Sequence, residues 1–120
     1  MTSKDLNLKL VSLMPEIKKS YNDTVSWQEG DDTGSHVVFE DAFVPYIIEC
    51  VKLKDEQKLL KCFQVIEEIL SFNDEYAEEV IALSVLESLV FAENLKMDFS
   101  MFMGKRTQKL FNEVRAGWFM

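Results

Sequence analysis

Chemistry requires reactive side chains held near partners, and the 120-residue chain supplies few. His36 is its only histidine, so a Ser-His-Asp or Cys-His centre would have to be built on that one ring. It follows a run without a single apolar residue, EGDDTGS at 29–35, a poor place to fix a nucleophile's geometry. Cys50 and Cys62 lack CxxC spacing and sit among apolar neighbours at helical intervals (Ile47, Ile48 and Val51; Leu59, Phe63 and Ile66). They read as reduced core residues, not as zinc ligands, a redox pair or a disulfide. Di-iron bundles want Glu-x-x-His pairs on two helices, and none occurs. Glu67 with Glu68, or Glu75 with Glu78 and Glu79, could meet a hard cation, yet no loop offers converging oxygens of the EF-hand kind. Nor is there a glycine-rich phosphate loop. The expectation is a protein that is not an enzyme, with no catalytic residue, metal or cofactor.

Charge carries more information. The chain has a net charge of -8 and a pI near 4.6, which argues against nucleic acid or an anionic membrane as a direct partner, because both are bound through Lys and Arg. The imbalance is local: residues 1–36 carry -2, residues 37–99 carry -9 and residues 100–120 carry +3. Between Lys61 and Lys96 no Lys or Arg occurs, whereas Glu67, Glu68, Asp74, Glu75, Glu78, Glu79, Glu87 and Glu93 do. Like charges four residues apart on a helix, such as Glu75 and Glu79, repel by about 0.2–0.5 kcal/mol, so the block works slightly against stability. Two readings follow. The carboxylates present a negative surface that steers a basic partner, or they are a solvated face that keeps the chain soluble, with Asp74 and Glu75 favouring a helix N-terminus. Glu87 shares a stripe with Tyr76, Val80 and Leu83 and is expected to be half-buried against a helix end or an arginine, Arg106 or Arg115.

These side chains must be positioned by helices. Apolar residues recur at three- and four-residue steps, with only two prolines and four glycines to interrupt them, so the fold is expected to be all-α: a single domain, 1–120, of five to seven antiparallel helices. A helical bundle and a short HEAT- or armadillo-like stack both satisfy the pattern. The first helix covers 3–13 with Ser3 as cap; Pro15 opens a second carrying Ile17 and Tyr21. The acidic, mobile loop 29–35 follows. A third helix begins between Val37 and Asp41, with HVVF an extended or helical lead-in and Pro45 in the first turns. A corner at 52–55 leads to a fourth helix, 71–73 closes it, and Asn73 caps a central fifth. Residues 95–103 are expected to form one turn ending at Gly104, with Thr107 capping the last helix. Phe43, Ile47, Phe63, Ile66, Val80, Leu83 and Leu86 should form the core. No run of eighteen uncharged apolar residues and no signal-peptide pattern occurs, so the protein is expected in the cytoplasm.

From Val38 to Leu89, and again in MGKRTQKLFNEV, the chain resembles a family of small α-helical bacterial proteins of unassigned function. Phe39 with Phe43, VIEEIL at 65–70, the acidic corner at 74–79, LESL at 86–89 and the Met103-Gly104 turn carry the resemblance; residues 1–35 stand outside it. Proteins of this kind are found as candidate immunity proteins beside polymorphic or contact-dependent toxins, and some resemble HEAT-like or armadillo-like stacks. The resemblance implies an immunity protein that neutralises a cognate toxin domain, and the chain's negative charge points to a basic nuclease as that toxin. The acidic surface of Glu29, Asp31, Asp32, Glu67, Glu68, Asp74, Glu75, Glu78 and Glu79 would then meet the toxin. Trp27 and Trp118 are either aromatic anchors of that interface or core residues. The alternative is a cytoplasmic helical adaptor without a toxin partner.

Overall fold

The computed structural model describes residues 1–92 and 98–119, and among these the secondary structure is helical, without a strand. Helix α1 (Ser3–Leu13) is capped by Thr2, not Ser3: the Thr2 hydroxyl accepts from the Asp5 amide and the Asp5 carboxylate from the Thr2 amide, a reciprocal capping box. Leu6 and Leu10 face inward. Pro15 opens a 3-10 turn, Pro15–Ile17, where its missing N–H is harmless, and the chain continues into α2 (Lys18–Val25), which buries Tyr21 and Val25. A second 3-10 turn, Gly30–Asp32, lies inside the acidic loop.

Two long rods follow, each an α-helix interrupted by a π turn, in which the amide bonds five residues back and the backbone widens. The first runs through α3 (Ser35–Val38), the π turn Phe39–Phe43 and α4 (Val44–Lys52), so HVVF is helical. Its π turn ends two residues before Pro45, whose ring in a regular helix would clash with the carbonyl four residues before it, that of Asp41 inside the turn. Lys54, in the left-handed region at φ 55°, turns the corner, and Asp55 caps α5 (Glu56–Leu70) by accepting from the Lys58 amide. The second rod comprises α6 (Glu75–Val80), the π turn Ile81–Leu86 and α7 (Glu87–Phe91). Asn73, expected as its cap, instead takes the left-handed turn at φ 54°, a conformation asparagine tolerates, and Asp74 caps the helix. A 3-10 turn, Phe99–Phe102, supplies the single turn expected before Gly104, and α8 (Lys105–Arg115) closes the described chain. Glu93 and residues 95–97 of the expected turn segment lie outside the described residues.

The rods pack on each other through their two π turns, with α2 against the first and α8 against the second, while α5 packs on α4 and α8. The core gathers there. Phe39 meets Phe43 edge to face at 6.0 Å, and Phe63 packs against Phe99 and Phe102, with centroids 5.8 and 6.2 Å away. Phe43, Ile47, Phe63, Ile66, Val80 and Leu86 are fully buried as expected. Leu83 is only half-buried and Glu87 is exposed. The π turn is the cause: its extra residue advances the buried stripe from Val80 to Val85 and Leu89, rotating Leu83 and Glu87 outward. Among the described residues no helix is long and apolar enough to cross a membrane.

Candidate interaction surface

The acidic loop, expected to be mobile, is tied to the helices around it. Asn7, a fully buried polar residue on the inner face of α1, donates from Nδ2 to the carbonyls of Asp31 (3.0 Å) and Thr33 (2.6 Å). The Tyr21 hydroxyl donates to Asp31 Oδ1 at 2.6 Å, and burial together with that acceptor pushes the phenol's pKa up. Thr33 turns its hydroxyl onto the Gly30 carbonyl and accepts from the Glu29 amide. Backbone polar groups that would otherwise demand water are thus paired, and Glu29, Asp31 and Asp32 are held at the surface. Trp27 stands beside them at 87% exposure. Trp118 is also exposed, so neither tryptophan is a core residue.

The loop's last residue reaches the start of α6. The Ser35 amide donates to the Tyr76 hydroxyl at 3.2 Å, and that hydroxyl shares a 2.7 Å hydrogen bond with Ser3 Oγ. Ser35 Oγ donates to Asn7 Oδ1 at 2.8 Å. Ser3, Asn7, Ser35 and Tyr76 therefore form one polar seam joining α1, the acidic loop and α6, although loop and helix are some forty residues apart in sequence. Spacing could not reveal this seam. Its one signal was Asn7, a polar residue placed between Leu6 and Leu10 on the buried side of α1.

The carboxylates of the middle segment divide into engaged and free. Asp74 accepts from the Ala77 amide, its capping bond, and from the Met1 amino group, each at 2.9 Å, and these bonds hold its pKa below the ordinary value. Glu67 is half-buried and engaged. It reaches from α5 to the start of α8, where Oε1 accepts from the Thr107 amide (2.9 Å) and hydroxyl (2.8 Å), and Oε2 from the Arg106 amide (3.2 Å). The Arg106 guanidinium adds a longer contact of 3.4 Å. Burial pushes the Glu67 carboxyl up, but these donors outweigh it and its pKa lies below the ordinary value. Thus α8 is capped by a carboxylate from another helix, not by Thr107, and Arg106 pairs with Glu67, not with Glu87. Glu78 lines a shallow cleft with Leu70, Asn73, Arg106, Lys109, Leu110 and Glu113, so the basic segment of the sequence folds against part of the acidic one. Glu68, Glu75 and Glu79 are exposed and make no ion pair among the described residues.

A family described as "Domain of unknown function (DUF7674)" matches residues 7–118. The chain belongs to this family. No curated protein and no solved structure matches it. The DUF7674 match takes in α2 and the acidic loop as well as the rods and α8. Within this family member, His36 shares a 2.6 Å hydrogen bond between Nδ1 and Ser84 Oγ and lies edge-on to Tyr76. The Ser-His contact places a fully buried hydroxyl in the second π turn. Cys50 and Cys62 are both free and buried, and burial raises both thiol pKa values. Among the described residues, no group of three or more His, Cys, Asp or Glu side chains is placed to hold a metal ion.

Proposed function

We propose that this DUF7674 protein is an immunity protein, acting in the cytoplasm by binding a basic toxin domain, a nuclease, and covering its phosphate-binding surface. A nuclease must carry positive charge to hold its substrate, so a negative surface competes for the same ground. The observation that carries the reading is the pinned loop: Trp27 at 87% exposure precedes the exposed residues Glu29, Asp31 and Asp32, with Asn7 holding the Asp31 and Thr33 carbonyls and Tyr21 the Asp31 carboxylate. An exposed aromatic side chain suits an interface anchor, and the surrounding charge supplies fast association. The Ser35–Tyr76 hydrogen bond ties the loop to α6, the helix that carries the exposed Glu75 and Glu79. No chemistry of its own is required for this role.

The test is co-expression with any basic nuclease domain encoded beside the gene. Growth protection, a stoichiometric complex and loss of nuclease activity in vitro are the expected results. A folded chain in excess that leaves the nuclease fully active, or flanking genes that encode no toxic domain, would refute the immunity reading and favour an adaptor.

A further inference from the structure

We draw no further inference here: the strongest candidate, the open apolar groove between α5 and the Phe99–Phe102 turn, walled by Leu60, Phe63, Met101 and Phe102, carries nothing because nothing in the structure shows what covers it.

Discussion

Glu67 and Gly104 occupy one site: a Cβ placed on Gly104 would lie 2.6 Å from Glu67 Cδ and Oε1. The glycine is required by this approach and not by its backbone, whose φ of -75° suits any residue. The Glu67 carboxylate could swing away from an added methyl only by surrendering its bonds to Arg106 and Thr107. Gly104→Ala should therefore destabilise the protein by about 1–2 kcal/mol, the range of a lost helix cap. In a Glu67→Ala background the same change should cost little. Urea unfolding of the four proteins of this cycle measures the coupling, and additive effects would contradict the shared site.

Acid should release the same cap. Because the folded pKa of Glu67 lies below its ordinary 4.5, its contribution is present above that pH and is lost as pH falls through the folded value. Asp5, Glu16, Asp74 and Asp98 are lowered as well, so stability should fall with decreasing pH in the acid range. Glu67→Gln should be less stable than wild type at neutral pH, with the difference shrinking in acid. Thermal melts across the acid range follow this directly, and a constant difference would exclude Glu67 as the titrating cap.

Removing the Asn7 side chain leaves the Asp31 and Thr33 carbonyls without their donor. Asn7→Ala should cost about 1–3 kcal/mol, the penalty for stranding buried polar groups. It should also speed proteolysis between residues 28 and 34, because the loop loses its tether to α1. Limited proteolysis read by mass spectrometry checks this, and an unchanged cleavage pattern would show that Tyr21 and Thr33 suffice to hold the loop.

Both thiols should be silent in the folded protein. Burial of Cys50 and Cys62 blocks access and disfavours the thiolate, so a thiol reagent at mildly alkaline pH should label neither in the native state and both after denaturation. Fewer than two thiols in the denatured count would reveal oxidation.

For partner binding, Glu75→Lys with Glu79→Lys is the informative pair, since both side chains are exposed and make no ion pair among the described residues. Reversing Glu78 as well would crowd a cation against Arg106 and Lys109 and confuse binding with stability. The double reversal should alter stability by no more than about 0.5 kcal/mol per site while slowing association with a basic partner. Added salt should slow the wild type in the same sense. An association rate indifferent to both would remove the acidic-surface argument, while Trp27→Ala would still test the anchor.

Helix content, most of the core and the final turn before Gly104 were legible because apolar spacing reports them directly. What failed did so for identifiable reasons. Leu83 and Glu87 were misplaced because a constant helical period was carried through a π turn. Glu67 looked like surface charge because its partners lie some forty residues further along, and a long-range cap leaves no local pattern. Thr2 and Asp74 displaced the neighbouring candidates Ser3 and Asn73 as caps, shifts of a single residue that pattern alone does not resolve. The loop carboxylates were placed correctly at the surface; that the loop is anchored followed only from Asn7 on its backbone and Tyr21 on the Asp31 side chain.

The π turns also bear on how this family can vary in length. In each the backbone hydrogen bond reaches five residues back where a regular helix reaches four, so each rod is an ordinary helix that has absorbed one additional amino acid without disturbing its flanks. Deleting one residue within Ile81–Leu86 would tighten that rod into a continuous α-helix and leave Glu87–Phe91 facing as it does now. The same deletion within α5, where there is no slack, would rotate everything beyond it by about 100°. Relatives that differ by a single residue should therefore place the gap in these two segments, and a homologue one residue shorter there would keep the same fold.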